Sequence, residues 1–161
     1  MNTLRQLFLG PPQWTIAVAE SLTGGRVQSR VTAHSGASDF FRGGITAYAL
    51  ESKIRLLGAD RREVESTNGV SSRVAEEMAL GVCKLFQSDV GLATTGWAEV
   101  SPDSGVYVPF AWWALVHHRS RSVIHVESAR IEVPGLTRTD VQDHVTDHVL
   151  GRLVSYLQGA R

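Results

Sequence analysis

Residues 15–25 read Thr-Ile-Ala-Val-Ala-Glu-Ser-Leu-Thr-Gly-Gly, and they hold the chain's most suggestive chemistry. An apolar, partly β-branched run leads to Glu20 and Ser21, followed by a helix-start signal with two glycines. A strand built this way delivers a serine hydroxyl to the mouth of a helix. Free N–H groups at a helix N-terminus stabilise negative charge, so Ser21 could act as a nucleophile beside an oxyanion or phosphate site. The same pattern also fits a plain strand–turn–helix junction in which Ser21 or Thr23 is an ordinary cap. A serine nucleophile needs a base at neutral pH, and the nearby candidates are Tyr48 and Lys53. Partial burial can lower a lysine's pKa enough for that role. Taken alone, Lys53 reads as a solvated helix lysine and Tyr48 as a packed strand residue whose hydroxyl finds water. Arg42, beside Gly43 and Gly44, could bind an anion or be a surface arginine.

These side chains need a scaffold. A short leading helix is expected around Leu4, Leu7 and Phe8, stopped by Gly10-Pro11-Pro12. A buried strand is expected over 15–19 and a helix over 23–33. A second strand lies within 40–48, where glycines suggest a bulge or a close backbone approach. Helical spacing marks 50–57, ended by Gly58, then a turn over 61–65, then a long helix to Phe86 capped by Ser71. A third strand covers 89–94 and ends in Thr95-Gly96. Strands over 110–117 and 122–133 pair across the polar turn 118–121, and a last helix runs over 139–158. Strands alternating with helices, then a hairpin, predict an α/β fold: one three-layer α/β/α domain, residues 1–161, around a mixed sheet. Binding sites in such sheets gather at the carboxyl ends of strands, where Ser21, Tyr48 and Gly96 all fall.

Composition narrows the function. The 161 residues are 43% hydrophobic and 20% charged, with zero formal net charge. That balance argues against a nucleic-acid surface, which needs a basic excess. The single cysteine, Cys83, excludes an internal disulfide and a Cys-rich zinc site, and its neighbours make it a small buried hydrophobe. No apolar run approaches membrane-spanning length, and residues 1–10 lack the features of a secretory leader, so no membrane partner and a cytoplasmic location are expected. His144 and His148 stand four apart near Asp140 and Asp143, a spacing zinc can use, but no third ligand is set and no metal site is expected. Trp112-Trp113 on a strand must send its rings to opposite faces. One is expected in the core and the other at a pocket or interface.

Ala19-Glu20-Ser21-Leu22-Thr23-Gly24-Gly25 resembles the Ala-Glu-Ser-x-Thr-Gly-Gly signature of the CinA C-terminal domain family, the nicotinamide-nucleotide amidohydrolases. Gly36-Ala37-Ser38, Phe41-Arg42-Gly43-Gly44, Ala47-Tyr48, Glu51 and Lys53, Leu57-Gly58, Gly69-Val70-Ser71 and Thr95-Gly96 continue the match in family order over residues 14–158. A separate molybdopterin-binding-like domain, fused in some members, is expected to be absent. The resemblance implies hydrolysis of the carboxamide of nicotinamide mononucleotide to a carboxylate and ammonia, without metal or cofactor, by a protein that self-associates. It implies Ser21 as nucleophile, Lys53 as base, and Tyr48 assisting proton transfer or orienting the lysine. The substrate-binding positions it implies are Thr23, Gly24, Gly25, Arg42, Gly43, Gly96 and Arg138, with the backbone at Thr23-Gly24-Gly25 holding the oxyanion or the ligand.

The chain also departs from the pattern. A glycine-rich loop after Thr-Gly is replaced by Trp97-Ala98-Glu99-Val100-Ser101, and the family's Gly-Thr becomes Ala111-Trp112. Ala49 and Leu50 replace the serine and asparagine before the lysine element. Arg138 aligns only with an insertion, and Gln142 stands where a second arginine is common. Glu99 brings negative charge toward a site meant for a phosphorylated ligand. These changes motivate a second hypothesis, a catalytically inactive relative that binds a ligand or a protein.

Overall fold

The computed structural model describes residues 4–120 and 124–160. Part of the predicted hairpin turn, Arg121, the predicted strand start at Ser122, and residues 1–3 of the segment examined for a leader lie outside these.

Five strands form one mixed sheet in the order β2-β1-β3-β4-β5. β1 (Ile16–Glu20) is central and pairs in parallel with β2 (Phe41–Thr46) and with β3 (Val90–Trp97). β3 pairs antiparallel with β4 (Phe110–His118), and β4 with β5 (Ile124–Glu132). The chain leaves β1 for β2 on one side and later returns to β3 on the other. The carboxyl ends of β1 and β3 therefore flank a topological switch point, where open α/β sheets place ligands.

Helices cover both faces, giving the expected three layers. On one face Ile16, Val18, Leu92, Trp113 and Leu115 pack against α1 (Leu4–Leu9), α2 (Arg26–Thr32) and α6 (Arg138–Gly159), whose Val141, Val145, Val149, Leu153 and Leu157 form the predicted stripe. On the other face Ala17, Ala19, Ala93, Ala114 and Val116 meet α3 (Leu50–Leu57), α4 (Arg61–Ser66) and α5 (Ser72–Phe86). Small residues let α5 approach closely: a Cβ on Gly91 would lie 2.2 Å from the Ala79 carbonyl oxygen, and one on Gly81 would lie 1.9 Å from that of Leu57. Local signals set several helix ends as read from the sequence. Ser71 Oγ accepts from the Val74 N–H, and α3 ends at Gly58 with φ of 70°.

Two boundaries differ from the expectation. α2 starts at Arg26 instead of Thr23, because Gly24 (φ 61°) and Gly25 (φ 97°) wind the preceding segment into a turn. β3 continues to Trp97, because β4 offers it partners as far as Trp97↔Phe110. The expected irregularity of β2 is present: register slips past Arg42, which bulges between Phe41 and Gly43. Cys83 is buried, as expected. The two adjacent tryptophans do face opposite ways. Trp113 is 1% exposed in the α1–α2–α6 layer, and Trp112 is half-buried against the α3–α5 layer.

Candidate active site at the carboxyl end of the sheet

Ser21 is the first residue beyond β1, and its N–H still donates to the Thr94 carbonyl at 3.0 Å. The sheet thus holds its backbone while its side chain rises off the strand ends. Lys53 comes from the middle of α3 and is 2% exposed. Its Nζ lies 2.8 Å from Ser21 Oγ, 3.1 Å from the Ala47 carbonyl oxygen and 3.4 Å from that of Tyr48. Gly69 lets the connecting loop lie across the lysine stem, since a Cβ there would sit 3.3 Å from Lys53 Cδ and Cε and 2.7 Å from Leu50 Cδ2.

This geometry has a chemical consequence. The two carbonyls can only accept, so they claim two N–H groups of Lys53. The remaining direction points at Ser21 Oγ. In the ammonium it is a donor; in the neutral amine it is a lone pair facing the serine proton. Burial lowers the Lys53 pKa from near 10.5 to about 8. Among the described residues no carboxylate forms an ion pair with Lys53 to offset this. Roughly one molecule in ten then carries the neutral amine near pH 7, a general base next to its proton.

Glu20 corrects the expectation about the helix terminus. Its carboxylate is fully buried and accepts from the N–H groups of Gly25 (3.0 Å), Val27 (3.1 Å) and Gln28 (2.9 Å). The Gly24 and Arg26 N–H groups donate to the carbonyls of Ser21 and Thr23. The N–H groups of Gly24, Gly25, Arg26, Val27 and Gln28 are therefore taken by the chain's own carboxylate and turn. Gly24 and Gly25 shape that turn, and neither lines the pocket. Thr23 is also buried away from the pocket, its hydroxyl 2.7 Å from that of Thr94. Leu22, immediately after the serine, takes a different position. It lines the pocket, its carbonyl accepts from Gln142 Nε2 at 2.7 Å, and its N–H has no protein acceptor among the described residues. Glu20, Leu22 and Gly69 stand in the sequence only as motif residues and Gln142 only as a departure from the family pattern; none of the four is expected at the site. A buried carboxylate six to eight residues ahead of a helix's first turn was the one readable hint.

A pocket of about 420 Å³ opens above Ser21 and Lys53, within the range of small-molecule sites. Thr95, Gly96, Trp97, Asn68 and Val70 form much of its wall. Gly96 is required by backbone proximity, because a Cβ would meet the Phe110 carbonyl oxygen at 2.3 Å. The Thr95 hydroxyl donates to the Gly69 carbonyl at 2.6 Å and ties β3 to the loop over the lysine. Trp97 lines the cavity without filling it. Asn68, also unmarked by the sequence reading, lies on the rim with φ of 52°, a left-handed conformation uncommon for a side-chain-bearing residue.

Arg138, at the start of α6, reaches the mouth of the pocket. Its Nη1 donates to Glu99 Oε1 at 2.6 Å and its Nη2 to the Tyr48 hydroxyl at 2.7 Å. Tyr48 thus meets Lys53 through its backbone carbonyl, and its exposed hydroxyl belongs to the mouth. Arg42 and Gly43 lie elsewhere. Arg42 is exposed in the β2 bulge, and the Phe86 ring occupies the space beside Gly43, 2.5 Å from where a Cβ would stand. Neither lines the pocket. Trp112 likewise packs under helices and does not reach it. No helix among the described residues is long and apolar enough to cross a membrane.

Comparison with known proteins identifies the family and the fold. The family model for the CinA C-terminal domain matches residues 5–157. A CinA-like protein of Picosynechococcus sp. is 39% identical over 141 residues, which cover 78% of this chain and 34% of the relative. A putative competence-damage inducible protein of Acetivibrio thermocellus is also 39% identical over 141 residues, 84% of this chain and 34% of the relative. The chain spans about a third of the length of these curated relatives. Among solved structures, a competence-damaged protein (CinA) superfamily protein from Enterobacter cloacae superposes with a TM-score of 0.85 at 25% identity, covering 96% of this chain and 88% of that one. With the signature residues, the sheet order and the family match in agreement, the chain belongs to the CinA C-terminal domain family.

Proposed function

We propose that this protein is a serine amidohydrolase that cleaves the carboxamide of a nicotinamide mononucleotide-like substrate to a carboxylate and ammonia. The observation that carries the reading is the 2.8 Å contact between Lys53 Nζ and Ser21 Oγ at the base of an open pocket. Neutral Lys53 takes the Ser21 proton as Oγ attacks the amide carbon. The carbonyl oxygen becomes an oxyanion facing the Leu22 N–H, whose peptide plane is held by the Gly24 N–H donating to the Ser21 carbonyl, while Gln142 holds the next carbonyl, that of Leu22. Collapse of the tetrahedral adduct breaks the C–N bond, and the Lys53 ammonium returns its proton to the departing nitrogen, releasing ammonia. Water then attacks the Ser21 ester with Lys53 again as base, giving the carboxylate and free serine. Glu20 fixes the turn that follows Ser21 and so sets the direction of the nucleophile and of the Leu22 amide.

The test is ammonia release from nicotinamide mononucleotide and from its dephosphorylated nucleoside. Turnover by the native protein that is lost in Ser21→Ala supports the reading. Equal release by both proteins, or none from either compound, refutes it. A ligand-induced change in tryptophan fluorescence with no ammonia would favour the ligand-binding alternative.

A further inference from the structure

The pocket mouth carries a charge arrangement that bears on the substrate. A guanidinium binds phosphate best when its planar fork is open to the oxygens. In Arg138 both terminal nitrogens are engaged within the chain, one by the Glu99 carboxylate at 2.6 Å and the other by the Tyr48 hydroxyl at 2.7 Å. Glu99 and Arg138 both line the cavity, and Lys53 is its other charged lining residue. Glu99 cancels Arg138, and Lys53 is uncharged when it acts as a base. In its reactive form the pocket therefore offers a phosphate dianion no net positive charge, and a carboxylate stands beside the one guanidinium.

The same lining, neutral when Lys53 is, sets no net charge against a cation. A pyridine carboxamide alkylated on its ring nitrogen by ribose is a planar cation. It would meet the Glu99 carboxylate at the mouth and the Trp97 indole on the wall, a surface suited to cation–π contact. Glu99 is 61% exposed, and exposed ion pairs contribute little to folding, so the stability of the domain does not account for a carboxylate at this place.

We infer that Glu99 sets substrate specificity in this chain: paired to Arg138 over the Ser21–Lys53 pocket, it selects an N-ribosylated pyridinium carboxamide without a 5′-phosphate over the phosphorylated nucleotide. The inference rests on the proposed amidohydrolase reading of the site and narrows its substrate class.

The experiment compares nicotinamide riboside with nicotinamide mononucleotide at low, fixed ionic strength, because salt screens charges at an open mouth. The ratio of kcat/KM for the two compounds is measured in the native protein and in Glu99→Gln. The native protein is expected to favour the riboside. Glu99→Gln should move the ratio toward the mononucleotide by about tenfold, the scale expected when one carboxylate is removed from beside a phosphate. An unchanged ratio, or a native protein that prefers the mononucleotide, overturns the inference. Calorimetric titration of the same two compounds into Ser21→Ala and into Ser21→Ala/Glu99→Gln gives a readout that does not need turnover. If neither compound is hydrolysed by the native protein but the dissociation-constant ratio shifts as stated, the amidohydrolase reading fails and the selectivity of Glu99 stands. If neither compound binds, or both bind with the same ratio in the two variants, the inference fails.

Discussion

Replacing Lys53 by methionine should expose what its burial costs the fold. The ammonium form is disfavoured inside the protein, where its pKa falls from near 10.5 to about 8 through desolvation. One pKa unit corresponds to about 1.4 kcal/mol, so a charged Lys53 opposes folding by about 3 kcal/mol when both states are protonated. The sign follows from proton binding. Between the two pKa values the unfolded chain holds the proton and the folded chain does not, so stability rises with pH across that window. Below the folded value the penalty is fully present, and it fades as pH climbs toward 10.5. From pH 7 to about pH 9.5, the native protein should gain about 2 kcal/mol of stability relative to Lys53→Met. The variant also loses contacts to Ser21 Oγ and to the Ala47 and Tyr48 carbonyls, worth about 1 kcal/mol each. Those losses do not depend on pH in the carbonyl contacts, and the other titrating groups are common to both proteins, so the difference in slope isolates Lys53. Urea unfolding at several pH values provides the assay. Parallel stability curves for the two proteins would refute the claim that Lys53 is buried with a depressed pKa.

Three further outcomes are expected. Glu20→Gln should lower stability by about 2–3 kcal/mol in urea unfolding, because a buried carboxylate serving three N–H groups is exchanged for an amide whose NH₂ cannot accept; an unchanged midpoint would contradict the capping role. Gly81→Ala should destabilise by roughly 1–3 kcal/mol, since its Cβ would overlap the Leu57 carbonyl and push α5 off α3, and turnover should fall with it as Lys53 moves; native stability and activity would contradict the packing argument. Cys83 should resist thiol reagents at about pH 8 in the folded protein and react in denaturant, because burial pushes its thiol up to about 11; rapid labelling of the native form would show an exposed thiolate instead.

The sequence is most legible where structure is decided locally. Gly58 and Ser71 mark the end of α3 and the start of α5 because each meets its cap within a few residues. The alternating small and large residues of β1 and β3 divide between the two helical layers, as does the Trp112-Trp113 pair of β4. Ser21 and Lys53 were readable as an ordered pair, but their contact depends on α3 returning over the end of β1. The roles of Gly24 and Gly25 were misread because the helix terminus is filled by Glu20, whose side chain turns back beneath it. Gln142 holds the Leu22 carbonyl across 120 residues of sequence, and Arg138 reaches Tyr48 across 90. Such contacts are set by which helix lies on which face of the sheet, and no local pattern encodes them.

The most direct test of the Ser21–Lys53 account is the pH dependence of kcat/KM for ammonia release, which reports the ionisation of the free enzyme. The account predicts a single rise with deprotonation of one group at about 8, absent in Ser21→Ala, matching the lysine that burial has prepared as a base. A flat profile across that range, or a rise only in the ordinary lysine range near 10.5, would contradict it.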